Sequence, residues 1–202
     1  METNQVKGIE YSDNVFTVCY DGGDYIYLVR KFKYMIICRF NVLTLEFQEI
    51  YKSKPNDRNI KLFQSFFYKG LIYCLPVEGD TLQIFNPSDK KVTESQCDKS
   101  IVNSDMCFDG NGNIYCIPGH NTFIRFNLET KEKVNLKASN IKYCFSMIHH
   151  KVSNEESYIY VVGGVTIGNH RYSIEKDEWE PIFTNDEYLR EEFGSAIIST
   201  TF

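Results

Sequence analysis

Several features typical of other protein classes are scarce or missing in this sequence. The 202 residues include one tryptophan, five prolines and four histidines, and no apolar run approaches the roughly 20 residues of a membrane-spanning helix. The N-terminus has no basic stretch followed by an apolar core, which argues against a secretory signal. The net charge of −5 offers no general attraction for nucleic acid. We therefore expect a soluble cytoplasmic protein that engages neither membrane nor nucleic acid.

Cysteine is plentiful but follows no metal-binding or redox pattern. There are seven cysteines, an odd number, and no two have the C-x-x-C spacing of a zinc site or a redox pair. Most lie in apolar, strand-like stretches, as Cys74 and Cys116 do. Free cysteine in such stretches behaves as a small buried hydrophobe. The pattern predicts buried, reduced thiols in an intracellular, reducing compartment.

Aromatic residues are abundant, and they recur with a period. The chain has fifteen Phe and fourteen Tyr, residue types that favour strands. Four apolar segments contain an Ile-Tyr pair, and we call the tyrosines of these pairs the marker tyrosines: Tyr27, Tyr73, Tyr115 and Tyr160. Their spacing of about 45 residues lies in the range of propeller blades.

The rest of each repeat is also shared. An apolar strand and a turn precede the marker strand, and a third strand then ends in an aromatic residue, namely Phe40, Phe85, Phe126 or Tyr172. A short turn of hairpin-forming residues leads to a fourth strand through Phe47, Val92, Val134 or Trp179. The repeats span approximately residues 13–52, 60–97, 101–138 and 141–183. Each repeat therefore predicts four antiparallel strands, which is one blade.

The fourth repeat carries the clearest family resemblance. Val161 and Val162 precede the pair Gly163-Gly164, and Tyr172 and Trp179 follow. This order of apolar residues, Gly-Gly, Tyr and Trp resembles the kelch motif. The other repeats share its spacing but place Arg30-Lys31, Pro76-Val77 and Pro118-Gly119 at the Gly-Gly position. The resemblance implies a β-propeller that serves as a protein-binding platform, and other propeller families, which share the plainer features, remain an alternative.

The expected fold is all-β, as one kelch-like propeller domain over residues 1–202. It has four readable four-stranded blades plus the first strand of a fifth at residues 193–200, and is thus partial or unusually small. Three arrangements stay open: a piece of a longer propeller, a pair of chains, or a small ring. An open propeller edge would favour self-association.

Candidate binding residues lie in the loops that follow the marker strands. The first of these loops replaces Gly-Gly by a basic-aromatic run: Arg30, Lys31, Phe32, Lys33 and Tyr34. Arginine and aromatic residues are enriched at binding hot spots, and a solvated loop is the alternative. His120, Asn121 and His170 fall in the equivalent loops of the third and fourth repeats. We expect these residues to contact an unknown protein partner.

No catalytic, metal or cofactor site is predicted. His120 and His170 lack an obvious third ligand for zinc or copper. The segment that starts at Asp109 alternates oxygen-bearing residues, but it lacks the Gly and Glu of a calcium loop and stands where the repeat needs a turn.

The expected function is a non-catalytic interaction scaffold. The alternatives are a propeller lyase, epimerase or hydrolase with a small molecule in the central channel, and a truncated paralogue without function. A propeller enzyme would need polar residues on the innermost strands. Those strands offer only Ser65, Ser104, Asp105 and Ser146.

Overall fold

The computed structural model describes residues 16–31, 34–54, 62–76, 78–102, 104–119, 121–138, 141, 146–163 and 168–188. These residues form sixteen strands in four antiparallel sheets. Each sheet contains four consecutive strands, each hydrogen-bonded to the next. The predicted all-β architecture of four four-stranded blades is confirmed. The predicted extra strand at residues 193–200 lies outside the described residues.

Each sheet takes its four strands in chain order. The first sheet comprises β1 (Thr17–Tyr20), β2 (Tyr25–Lys31), β3 (Met35–Asn41) and β4 (Phe47–Lys52). The second comprises β5 (Leu62–Tyr68), β6 (Leu71–Pro76), β7 (Thr81–Asn86) and β8 (Lys91–Gln96). The third comprises β9 (Asp105–Phe108), β10 (Asn113–Gly119), β11 (Thr122–Asn127) and β12 (Lys133–Asn135). The fourth comprises β13 (Met147–Lys151), β14 (Ser157–Val162), β15 (Asn169–Ser173) and β16 (Glu178–Ile182).

Short turns set the register of these strands. Between β1 and β2, Asp21 Oδ1 accepts hydrogen bonds from the backbone N–H groups of Gly23 and Tyr25, at 2.8 and 3.1 Å. Between β9 and β10, Asp109 Oδ1 accepts in the same way from Asn111 and Asn113, at 2.7 and 3.0 Å. The Asp109 segment is therefore a hairpin turn closed by an aspartate side chain, as its place in the repeat predicted.

The turns between third and fourth strands have one conformation in all four sheets. In the first three, the side-chain oxygen of an asparagine accepts from backbone N–H groups of the turn: Asn41, Asn86 and Asn127. Four residues later the backbone enters the left-handed region, at Leu45 (φ 60°), Lys90 (φ 58°), Lys131 (φ 61°) and Asp177 (φ 52°). One turn geometry thus recurs with different side chains.

The register also aligns the marker tyrosines. Three of them stand opposite an arginine on the third strand, as the pairs Tyr27–Arg39, Tyr115–Arg125 and Tyr160–Arg171. In the second sheet, Tyr73 stands opposite Ile84 instead. We call the face of a sheet that carries its marker tyrosine the marker face and the opposite face the receiving face.

The chain divides into two compact units, Met1–Cys97 and Asp98–Phe202. In the first unit, the marker face of the first sheet packs on the receiving face of the second. The Tyr27 ring stacks on Phe67 with ring centroids 5.6 Å apart and planes within 4°. Ile72 and Phe85 are fully buried in the same cluster. Full burial of one such side chain contributes about 1.5–3 kcal/mol.

The second unit repeats this packing between the third and fourth sheets. Tyr115 and Phe123, on the marker face of the third sheet, share a core cluster with Ile159 and Tyr172 of the fourth. The Phe123 ring meets the Tyr172 ring edge-on, with centroids 4.8 Å apart. In each unit, therefore, a marker face packs against the receiving face of the next sheet in sequence.

The four marker tyrosines share a register position but differ in burial. Tyr27, Tyr73 and Tyr115 are buried, whereas Tyr160 is only half-buried. No described strand of the second unit packs on the marker face of the fourth sheet. Tyr160 matches the others in register but not in burial.

The six cysteines of the described residues are buried, which agrees with the predicted buried thiols. Burial raises the pKa of the Cys19 and Cys116 thiols to about 12, so these two thiols are poor nucleophiles. A helix of the length and hydrophobicity needed to cross a membrane is absent from the described part of the chain.

Candidate functional site

The basic-aromatic loop is described in part. Arg30, near the end of β2, is half-buried, and its guanidinium lies over the Phe16 ring at 5.8 Å from the ring centroid. Its Nε is buried and has no partner among the described residues. The backbone of Lys31 pairs with Met35. One cation of the predicted binding loop is thus held against an aromatic ring.

A second cation–π contact lies at the other end of that loop. Tyr34 is half-buried, and Lys52 Nζ lies 5.2 Å from its ring centroid. Phe32 and Lys33 lie outside the described residues. The structure therefore brings Arg30 and Tyr34 into cation–π contacts with residues that the sequence interpretation had not included.

The predicted equivalence of His120 and His170 is wrong. His170 lies within strand β15, where it pairs with Val161 and Pro181, and its register equivalent in the third sheet is Ile124. The Gly-Gly connection ends earlier than the sequence spacing suggested, so His170 belongs to the strand. Its imidazole is half-buried, and burial lowers its pKa.

The other two predicted residues of these loops have different outcomes. His120 lies outside the described residues. Asn121 is exposed in the two-residue turn between Gly119 and Thr122, with φ at 56°. Among the described residues, no group of three or more His, Cys, Asp or Glu side chains could hold a metal ion.

The hydroxyl groups of the innermost strands are engaged in structural hydrogen bonds. Thr17 Oγ1 donates to Ser65 Oγ at 2.9 Å, which joins β1 to β5 inside the first unit. Ser104 Oγ donates to the carbonyl of Ser100 at 3.0 Å. Ser65 and Ser104 are both buried. Two of the four polar residues considered for a channel enzyme, Ser65 and Ser104, thus take part in hydrogen bonds within the scaffold.

A stacked pair on the first sheet forms an open cleft. The Arg39 guanidinium lies over the Tyr25 ring, 4.6 Å from its centroid. Arg39 Nε and Nη2 donate to Gln48 Oε1 at 3.2 and 2.9 Å. Gln48 thus takes two of the five guanidinium N–H donors, and the other three have no hydrogen-bond partner among the described residues. The cleft has a volume of about 410 Å³, and its walls are Tyr25, Arg39, Asn41, Glu46, Phe47 and Gln48.

The same stack occurs at the same register in the fourth sheet. Arg171 lies over the Tyr158 ring at 4.5 Å from the centroid and pairs with the Glu180 carboxylate. The ion pair with Glu180 raises the pKa of Arg171. In the fourth sheet a carboxylate neutralises the arginine. In the first sheet the neutral amide of Gln48 takes that place, so the Arg39 charge remains available to a ligand.

Two exposed leucines lie in the turn between the cleft residues Asn41 and Glu46. Leu43 and Leu45, in the turn between β3 and β4, are 74% and 71% exposed. The residues at the position of Leu45 in the other three sheets are Lys90, Lys131 and Asp177. The turn geometry does not require leucine, because polar residues form the same turn in the other sheets. We call Leu43, Leu45, Tyr25, Arg39 and Gln48 together the turn–cleft surface.

Sequence interpretation missed this surface although signals for it were present. The segment of Val42, Leu43 and Thr44 was grouped with the polar turns, yet it is the only one of the four without a charged residue or a proline. An arginine directly before the terminal aromatic of the third strand also recurs, at Arg39, Arg125 and Arg171. An alignment of the four repeats by strand position would have shown both features.

Comparison with known proteins identifies the fold. The structure is similar to the crystal structure of the RRP9 WD40 repeats, with a TM-score of 0.55, 9% sequence identity, and coverage of 82% of this chain and 48% of that chain. It is also similar to the structure of U3-55K, with a TM-score of 0.51, 9% identity, and coverage of 82% and 49%. This chain has the β-propeller fold. Identities this low carry no information about function.

The chain spans about half the length of each solved protein. No family model and no curated protein matches the sequence. Functional conclusions therefore rest on the residues of this chain.

Proposed function

We propose that this protein is a non-catalytic interaction scaffold, a kelch-like propeller that presents turns and loops to a protein partner. The observation that carries the proposal is the pair Leu43 and Leu45, which the scaffold does not require and which are largely exposed. Exposed apolar residues beside an arginine–tyrosine stack form the type of surface that proteins use as binding hot spots.

The first sheet offers such residues at both ends of its strands. The turn–cleft surface lies where β3 turns into β4, and the basic-aromatic loop at residues 30–34 lies at the opposite end. The leucines would insert into an apolar pocket of the partner, while the Arg39 donors not used by Gln48 would pair with a carbonyl or carboxylate at its edge. The rigid sheet beneath would hold both groups in place.

The kelch assignment and the cytoplasmic location belong to the same proposal. Support for a kelch repeat comes from Tyr172 and Trp179, whose rings lie 5.1 Å apart and both meet Phe123 of the preceding sheet. This contact gives the spaced Tyr and Trp of the motif a role between blades. A reducing location is supported by the six buried cysteines, which lie in strand-like stretches and have no C-x-x-C spacing.

Site-directed photo-crosslinking tests where the partner binds. A photoreactive residue at position 45 is compared with the same residue at position 90, which occupies the equivalent turn of the second sheet. In the native cell, position 45 should give a discrete crosslinked protein and position 90 should not. A third probe at position 33 tests the basic-aromatic loop. Equal labelling from positions 45 and 90 would contradict the turn–cleft assignment.

Two variants, one for each candidate surface of the first sheet, give a second test of where the partner binds. L45K installs the residue found at the same turn position in the second and third sheets, so it should fold normally and lose the crosslinked partner. The triple variant R30S/K31S/K33S should weaken capture if the loop also contributes. Retention of the partner by both variants would refute a partner site on the first sheet.

A further inference from the structure

The cleft of the first sheet contains arginine donors that the described part of the chain leaves unused. Gln48 Oε1 accepts from Arg39 Nε and Nη2, so both N–H groups of Nη1 and one of Nη2 have no partner among the described residues. These three donors lie along the outer edge of the guanidinium. Two of them are parallel there, which is the arrangement that binds one planar, two-oxygen group.

Asn41 adds further donors to the same cleft. Its Oδ1 accepts two backbone N–H groups of the turn, both at 2.9 Å, which fixes the orientation of the amide. In the third sheet, Nδ2 of the equivalent Asn127 donates to Asn113 Oδ1 at 2.9 Å. Tyr25 stands at that register position in the first sheet, and Asn41 Nδ2 has no acceptor among the described residues. The cleft therefore presents an excess of donors, which favours an anionic ligand.

The fourth sheet shows which acceptor suits the arginine–tyrosine stack. There Arg171 lies over the Tyr158 ring and pairs with the carboxylate of Glu180. Glu180 stands at the register position that Gln48 has in the first sheet. The same scaffold thus binds a carboxylate at this stack when the sequence supplies one. In the first sheet, a carboxylate for the arginine has to come from another molecule.

The charge balance of the cleft favours a carboxylate over a phosphate group. Its walls include one cation, Arg39, and one anion, the exposed Glu46, and no other charged residue of the described chain lines it. A phosphate group carries a charge of about −1.5 to −2 at neutral pH, which one guanidinium beside a glutamate does not neutralise. A carboxylate carries a single charge, and its two oxygens match the fork of one guanidinium.

The exposed leucines indicate what accompanies the carboxylate. Leu43 and Leu45 lie in the turn between the cleft residues Asn41 and Glu46. An extended peptide advances about 3.3 Å per residue, so an acidic side chain and an apolar side chain a few residues apart can contact the cleft and the turn together. A free carboxylic acid of small size would use the cleft but leave the leucines exposed. The surface as a whole therefore fits an acidic and apolar peptide segment.

We propose that the cleft binds an aspartate or glutamate side chain of the protein partner, within a segment whose apolar residues contact Leu43 and Leu45. The carboxylate accepts hydrogen bonds from Arg39 Nη1 and Nη2, and Asn41 Nδ2 donates to it from the cleft wall. This inference rests on the proposed scaffold function and adds the chemistry that the partner must present.

Peptide titration followed by NMR of the side-chain N–H signals tests the ligand class. The acetylated and amidated peptide Glu-Leu-Leu is compared with Gln-Leu-Leu and phosphoserine-Leu-Leu on the purified 202-residue chain. The glutamate peptide should shift the Arg39 Nε and Asn41 Nδ2 signals saturably and bind about tenfold more tightly than the glutamine peptide. Tighter binding of the phosphoserine peptide, equal binding of the glutamine peptide, or no saturable shift with the glutamate peptide overturns the proposal.

Exchange of the residues at one register position provides matched variants. Q48E gives the first sheet the acceptor that Glu180 provides in the fourth, so it should fold normally and bind the glutamate peptide about tenfold more weakly. E180Q makes the reverse exchange in the fourth sheet and should leave the Arg39 shifts unchanged. E46Q removes a like charge from the cleft wall and should bind the peptide at least as tightly as the wild type. Undiminished binding by Q48E, or weaker binding by E180Q or E46Q, contradicts the proposal.

Crosslinking from position 45 separates this inference from the scaffold function. Capture of the native partner should be lost when Q48E is added to the chain that carries the photoreactive residue. Equal capture with and without Q48E would refute the carboxylate contact and leave the scaffold function intact. No capture at all, together with saturable binding of the glutamate peptide to the wild type, would refute the scaffold function and retain the carboxylate site.

Discussion

The Tyr172 hydroxyl donates a 2.6 Å hydrogen bond to Asp177 Oδ1, and the same oxygen accepts the backbone N–H of Lys137 at 2.8 Å. The Trp179 indole nitrogen donates to the carbonyl of Lys137, also at 2.8 Å. The segment that leaves the third sheet is therefore held at both its N–H and its C=O by the fourth sheet. The spaced Tyr and Trp of the fourth repeat fasten one blade to the preceding one.

Replacement of Asp177 by alanine should weaken this attachment. Two donors lose their acceptor, which is expected to lower the free energy of unfolding by about 1–2 kcal/mol. The hydrogen bond from Tyr172 lowers the pKa of Asp177, so its contribution is present above the ordinary carboxyl range and is lost as the pH falls through the folded-state pKa. Urea unfolding of D177A at neutral and acid pH measures both effects, with the exposed K176A as control. A D177A deficit that persisted unchanged in acid would contradict this account.

Alanine substitution of the marker tyrosines should lower the free energy of unfolding more at the buried positions than at the half-buried Tyr160. Y27A and Y115A remove rings from packed cores and should each cost about 3 kcal/mol or more. Y160A should cost less, about 1 kcal/mol, because the Tyr160 ring is half-exposed. Chemical denaturation of the three variants gives the ranking. Equal losses would mean that part of the chain covers the Tyr160 face.

Replacement of Leu45 by glycine should stabilise the fold and weaken binding. Leu45 has a φ of 60°, a conformation that costs a non-glycine residue about 1 kcal/mol or more. Glycine also makes the unfolded chain more flexible, so the expected net gain is about 0.5 kcal/mol. K90G, at the same turn position with a φ of 58°, should show a similar gain in thermal unfolding. Only L45G should lose the crosslinked partner, and loss by both variants would indicate a general effect on folding.

The blades could be predicted from sequence, but the exposed faces could not. Strand identity follows from local patterns, such as the Ile-Tyr pairs and the Asp and Asn turns, whose hydrogen bonds span a few residues. Whether Tyr160 is buried depends on the sheet packed against it, and no pattern around residue 160 encodes that sheet. His170 was misplaced for a related reason, because the Gly-Gly spacing locates a connection only to within a few residues. Register, which is a property of strand pairs, was needed to correct it.

The ion pair between Asp98 and Lys133 should stabilise the fold at neutral pH and lose its effect in acid. Asp98 caps the 3₁₀ turn Lys99–Ile101, accepts hydrogen bonds from the side chain and backbone N–H of Ser100, and pairs with Lys133 Nζ at 2.9 Å. The Ser100 hydroxyl, followed by the Lys133 ammonium, lowers the pKa of Asp98 to about 2 against its partial desolvation. Because the folded-state pKa lies below that of the unfolded chain, the ionised carboxylate stabilises the fold above about pH 4, and this stabilisation disappears between about pH 4 and 2. Solvent screening of a partly exposed pair limits this stabilisation to about 1 kcal/mol.

D98N should therefore be less stable than the parent at neutral pH and equal to it near pH 2, as measured by urea unfolding. The charge-matched control D89N, which removes an exposed carboxylate 3.6 Å from Lys91 Nζ, should stay close to the parent throughout, because exposed ion pairs contribute little. A D98N curve parallel to the parent over the whole range would contradict the assignment.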